Sequence, residues 1–216
     1  MWCPNILQER ISENGFDVND FTESIQSVFR TIDIYEYHKE EAYSLILEIE
    51  PESNRDGLMF VLEPPEGLYE KKLAIQAHIQ SAIHNSRALY DLISQLINKL
   101  LLSNPIEIYD CTISNLIKKM NHSDLKNTIE NALESDSYKY INAFVNVIKH
   151  RNLVAFNSQF KLVENKAGII FHTFKYSQKT YPELWATDAL EKSLNVKNEI
   201  ITIGEKLNEH LQINGV

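Results

Sequence analysis

The sequence predicts an α+β fold in which helices dominate: an antiparallel helical bundle with two β-hairpins and a C-terminal helix. Three observations carry that expectation. Residues 70–102 contain no Pro or Gly and place Ile79, Ala82, Ile83, Leu89, Tyr90, Ile93, Leu96, Ile97 and Leu100 on one helical stripe. Further amphipathic segments follow up to Arg151 with short connections, the spacing of antiparallel bundle neighbours. Beyond Arg151 the hydrophobic period changes from helical to alternating, then returns to helical for the rest of the chain.

Taken in order, residues 19–31 carry Phe21, Ile25, Val28 and Phe29 at helical intervals, with Asn19 or Asp20 as the expected cap. Ser44–Glu50 and Leu58–Glu63 flank Pro51–Gly57 and read as a β-hairpin, with Gly57 supplying a positive φ and Pro64-Pro65 ending the second strand. The long helix over 70–102 stops at Asn104-Pro105, because the residue before Pro is pushed out of helical geometry. Helices are expected over 105–121, over 123–134 with Ser123 as cap, and over 136–150 with Asp136 or Ser137 as cap. Phe160–Glu164, a turn at Asn165–Gly168 and Ile169–Tyr176 form the second hairpin. Tyr181-Pro182 opens the last helix, with Leu190, Leu194, Ile201, Leu207 and Leu211 inward and Gly215 past its end. No repeat or low-complexity linker interrupts the chain, so 1–216 reads as one domain: 1–66 with the N-terminal helix and hairpin, 70–151 the bundle, 152–216 the second hairpin and final helix.

Charge and composition exclude several classes. With 21 basic against 30 acidic residues, a net −9, the chain cannot present a broad nucleic-acid surface, although a local basic pocket is allowed. Cys3 and Cys111 lie far apart without ligand spacing, so neither a disulfide framework, a metal site nor another cofactor is indicated. No run approaches the roughly 18 apolar residues of a membrane span, and the start of the chain lacks a basic region followed by an apolar core. The expectation is a soluble, cytoplasmic protein with no membrane partner.

One cluster looks like chemistry. In Tyr140–Arg151, Ile141, Phe144, Val145 and Ile148 share the apolar face, whereas Asn142, Asn146 and His150 fall at i, i+4, i+8 on the other side, beside Lys149 and Arg151. A histidine moves protons near neutral pH and a guanidinium holds phosphate, a pairing suited to metal-independent RNA cleavage through the ribose 2′-hydroxyl. Lys, His and Arg at a helix C-terminus also complement its macrodipole, worth about 0.3–1 kcal/mol without any ligand. On the long helix, His84, Arg87 and Asp91 lie opposite the apolar stripe, where they can form a polar wall with an Arg–Asp pair or a solvated face. His38, His78, His122, His172 and His210 show no ligand spacing, and the aromatics of 169–176 alternate faces as core residues do.

The order of a long helix, short helices and a helix carrying Asn146-x-x-x-His150 resembles the HEPN superfamily over about residues 70–151. In that superfamily an Arg, a following polar residue and a His a few positions on form the site of many RNA-cleaving defence and toxin proteins. Asn146 matches the polar position and His150 the histidine, while Val145 stands where the Arg belongs. The resemblance implies His150 as general acid/base, Arg151 and Lys149 on the phosphate, Asn146 orienting the histidine, and Asn142, His84, Arg87 and Asp91 in support. It also implies a homodimer with facing motifs and an RNA substrate, in a defence or toxin–antitoxin system. A non-catalytic helical adaptor that binds another protein is the alternative, and the Val145 departure points to it.

Overall fold

The structure, a computed structural model, describes residues 2–51 and 53–214. Helices α1 (Pro4–Glu13), α2 (Thr22–Leu47), α3 (Asn54–Leu62), α4 (Leu68–Leu101), α5 (Ile113–Lys119), α6 (Asp124–Glu134) and α7 (Asp136–His150) precede the strands. Strands β1 (Phe156–Lys161), β2 (Lys166–Phe171), β3 (Phe174–Tyr176), β4 (Lys179–Tyr181) and β5 (Leu184–Trp185) follow, and α8 (Ala186–Asn214) closes the order. The fold is α+β and mainly helical, as the hydrophobic periods predict.

Helix α4 runs unbroken, with Ile79, Ile83, Leu89, Ile93, Leu96 and Leu100 all buried. The hairpin expected over 44–63 does not form. Its first arm is the end of α2 and the turn after it, with Tyr35 and Ala42 buried and Ile46 half-buried at helical steps along α2, and its second arm is α3. Ser53 caps α3 by accepting from the Asp56 amide at 3.2 Å, and Gly57 is an interior helical residue. Both hairpins lie after α7 instead. Strand β1 pairs with β2 in the register Phe156↔Phe171 to Lys161↔Lys166, so the turn is 162–165, and β3 pairs with β4.

Other boundaries shift for local reasons. Asp17, accepting from the Asn19 amide at 3.0 Å, caps the 3-10 turn at Val18–Phe21, ahead of the expected Asn19 or Asp20. The helix over 105–121 contracts to α5, capped by Thr112, after Asn98 clamps both backbone groups of Ile106 at 2.8 and 2.9 Å. Ser135, one residue before the expected cap, accepts from the Tyr138 amide at 3.1 Å and starts α7. Helix α8 begins at Ala186 because Leu184 and Trp185 first pair with Phe171 and Ile170. Gly215 lies outside the described residues.

The chain divides into two compact units. The first comprises Met1–Ile34, Asn85–Lys139 and Leu194–Val216. Its core joins Leu7 and Ile11 of α1, Ile25 and Val28 of α2, Leu89, Ile93 and Leu96 of α4, and Ile200, Ile203 and Leu207 of α8. Tyr90 donates to the Glu199 carboxylate at 2.7 Å, and Asn14 donates to the Leu211 carbonyl at 2.9 Å. The second unit comprises Tyr35–His84 and Tyr140–Ser193. Its core is aromatic: Phe144 meets Phe171 and Phe174 edge-on at 5.1 and 5.8 Å, and Phe174 stacks on Tyr181 at 5.2 Å.

Candidate functional site

The residues singled out on α7 belong to the second unit and sit where the helix runs out. Ile141, Phe144, Val145 and Val147 are buried there, with Ile148 only half-buried, while Asn142 and Asn146 are half-buried and Lys149, His150 and Arg151 exposed. The polar side read from the sequence is therefore the outer side. Asn146 turns back along its own helix, its amide donating to the Asn142 carbonyl at 2.7 Å. Lys149 and His150 occupy the last turn, where their charge complements the free carbonyls.

Arg151 faces the sheet. Its backbone amide continues the helical pattern to the Val147 carbonyl at 2.9 Å, its guanidinium donates to the Lys175 carbonyl at 3.0 Å, and the group stands 5.9 Å from the Tyr176 ring centre. Val145, at the superfamily's Arg position, is 3% exposed, so a guanidinium there would have to be placed against the apolar core. Among the described residues the His150 ring has no hydrogen-bond partner. Lys149 instead approaches His84 closely enough to matter electrostatically: burial first, and the Lys149 charge second, hold the His84 imidazole below its usual range.

Arg87 and Asp91 fall in the first unit, where they form an ion pair at 2.9 Å and Arg87 stands 5.9 Å over the Tyr138 ring. The structure thus joins Asn142 with Asn146, His84 with Lys149, and Arg87 with Asp91. No hydrogen bond or ion pair joins His150 to Asn146, Arg151 or His84.

Two features of the second unit escaped the sequence reading. His38 on α2 and His78 on α4 meet Nδ1 to Nδ1 at 3.0 Å, with ring centres 5.1 Å apart. The nitrogens lie near the line joining the rings, the geometry of one N–H donating to the other ring's lone pair. Burial, then the facing His78, lowers the His38 pKa. No group of three metal-ligating side chains occurs among the described residues. The second feature is a groove floored by Phe60, Pro65 and Leu68, hidden in the sequence because the apolar run that forms its α3 wall satisfies a strand as well as a helix.

No helix among the described residues is long and apolar enough to cross a membrane. No model of a known protein family, no curated protein and no solved structure matches the chain.

Proposed function

We propose that the chain is a HEPN-like helical module that works by binding a protein partner and does not cut RNA. The observation that supports this reading is the state of the motif. Val145 is buried at the Arg position, Arg151 is engaged by the Lys175 carbonyl and the Tyr176 ring, and among the described residues no hydrogen-bond partner orients the His150 imidazole. A general acid/base needs its ring held relative to the bond it serves, and a phosphate ligand needs a free guanidinium.

A ribonuclease is the second reading, and one observation favours it: Lys149, His84 and His150 gather cationic or titratable groups at the end of α7 in a chain of net charge −9. In that reading His150 is the acid/base, Lys149 and Arg151 hold the phosphate, Asn146 orients the ring, and a facing second copy completes the site in a cytoplasmic toxin or defence protein.

Labelled single-stranded RNA incubated with purified protein and a chelator separates the two. The binding module leaves the RNA intact, and His150→Ala changes nothing beyond about 0.3–1 kcal/mol of stability from the lost macrodipole interaction. Cleavage by the wild type that His150→Ala abolishes, with the melting temperature unchanged, would replace the binding reading with the ribonuclease.

A further inference from the structure

We infer that the groove bounded by the C-terminal end of α2, α3 and the N-terminal end of α4 receives a basic amphipathic helix of a partner protein. The inference rests on the binding reading above and names the surface and the chemistry of the partner.

The groove follows from how α3 is seated. Gly57 and Phe60 are its buried positions, one turn apart, and they rest on β1 and β2. A Cβ at Gly57 would stand 2.8 Å from the Ala167 Cβ and 3.2 Å from the Phe160 ring, so only glycine lets the helix approach this closely. Yet Leu58 to Leu62 are five consecutive apolar residues, and a helix places such a run around more than half its circumference. One side is buried; Leu58, Met59, Val61 and Leu62 remain in solvent, Leu62 at 66% exposure. Tyr69 at 73% and Leu73 on α4, with Tyr43 and Leu47 on α2, extend the apolar surface. Of these exposed residues Val61 and Tyr69 line the groove itself, and large apolar side chains left in solvent beside a groove suit an interaction site.

The charges around it choose the occupant. Phe60, Pro65, Leu68 and Ile49 form the floor beside four carboxylates, Glu48, Glu50, Glu66 and Glu70, and two ammonium groups, Lys71 and Lys72, of which Lys71 is paired to Glu48 at 3.1 Å. Glu50 and Glu66 have no ion-pair partner among the described residues. An apolar floor with unpaired carboxylates on its rim suits a helix that carries leucine-like anchors on one side and Lys or Arg along their border. An anionic lipid surface is repelled by the same carboxylates. A twofold pairing of two copies through this face would set acidic rim against acidic rim, since an isologous contact brings each patch to itself.

The test is fluorescence anisotropy of a labelled leucine–lysine amphipathic peptide titrated with the intact chain, beside a leucine–glutamate peptide with the same apolar face. The lysine peptide binds and the glutamate peptide does not. Leu62→Asp, Tyr69→Asp and the pair Glu50→Lys/Glu66→Lys each weaken binding by roughly tenfold or more. Glu23→Lys/Glu130→Lys, which removes equal charge from exposed positions in the other unit, leaves it unchanged. All four variants alter exposed side chains, and circular dichroism checks that each is folded.

Equal weakening by the Glu23→Lys/Glu130→Lys control shows generic attraction and overturns the inference. So does self-association in sedimentation that Leu62→Asp abolishes, or binding to phosphatidylglycerol vesicles through this face. RNA cleavage in the separate assay removes the binding reading, whereas a lysine peptide that fails to bind removes only the groove's assignment.

Discussion

Replacing Gly204 with alanine tests the packing of the first unit by a change of sign. Gly204 lies inside α8, and a Cβ built on it would fall 2.1 Å from Cδ2 and 2.2 Å from Cε2 of the Trp2 indole. Carbon atoms settle at about 3.5–4.0 Å, so the indole must retreat by roughly 1.5 Å or leave. Trp2 is buried, stands 4.7 Å from the Phe29 ring between centres, and its indole N–H has no hydrogen-bond partner among the described residues. What the substitution disturbs is therefore packing alone. Overpacking costs about 1–3 kcal/mol, rising towards the 3–5 kcal/mol of a lost tryptophan if the ring is expelled. Ala is the better helix former by about 0.8–1 kcal/mol, which offsets part of that loss. The net expectation is a loss of up to about 4 kcal/mol, at about 2–4 °C of melting temperature per kcal/mol for a chain of this size. With Trp2 already replaced by Ala the clash is gone, and Gly204→Ala should then stabilise by about 0.8–1 kcal/mol. Urea denaturation followed by circular dichroism on the wild type, both single variants and the double variant closes the cycle. Equal destabilisation by Gly204→Ala in both backgrounds would refute the contact.

Ile93→Ala, at a fully buried position of α4, should cost about 2–5 kcal/mol in the same denaturation assay by leaving a cavity; a loss under about 1 kcal/mol would mean that Ile93 is not core. The folded-state pKa values of His38 and His84 are both lowered, so the unfolded chain binds more protons below its imidazole pKa of about 6.5. Their contribution is fully present above that pH and is lost as the pH falls through the folded values; the drop in melting temperature between neutral and acid pH should shrink in His38→Gln/His84→Gln, and an unchanged drop would refute the assignment. Both cysteines are free, and because burial hides Cys111 and raises its thiol pKa, Cys3 should react first with a thiol reagent in the native protein and both should react after denaturation without reductant. Absence of free thiol in the denatured sample would contradict this.

What could be read from the sequence divides along a physical line. The length of α4 was legible because its stripe recurs without a breaker, and Ser123 was legible as the cap of α6 because capping acts within one turn. Helix α1 carries comparable but shorter signals, Pro4 at its first position and Leu7 and Ile11 four apart, which the expectation above does not include. The segment 58–63 was a different problem. Five apolar residues in a row satisfy a buried strand and a two-sided helix equally, and the deciding contacts, Gly57 against Ala167 and Phe160, lie far along the chain. The outer face of α7 followed from helical periodicity, since Asn142, Asn146 and His150 do lie off the core. The direction of Arg151 did not, because it is set by the Lys175 carbonyl of a hairpin whose position no local pattern encodes. The same holds for the meeting of His38 and His78, which depends on the relative register of two helices.

The two surfaces of the second unit differ in what the fold itself gains from them. Lys149 and His150 already interact favourably with the C-terminal end of α7, and Arg151 fixes the chain to β3, so these residues have a structural reason to stand where they do without any ligand. Leu62 and Tyr69 have none. Each leaves a large apolar side chain in water, and for a leucine that forgoes about 1.5–3 kcal/mol available from burial. Polar substitutions at such positions would not cost the isolated protein that burial energy, so their apolar character fits the occupant proposed above. By the same reasoning the carboxylates of Glu50 and Glu66, which have no ion-pair partner among the described residues, fit a partner that brings the opposite charge. At the groove beside α3 side-chain chemistry and fold stability point apart, and that divergence is why we propose it, ahead of the end of α7, as the surface that meets a partner.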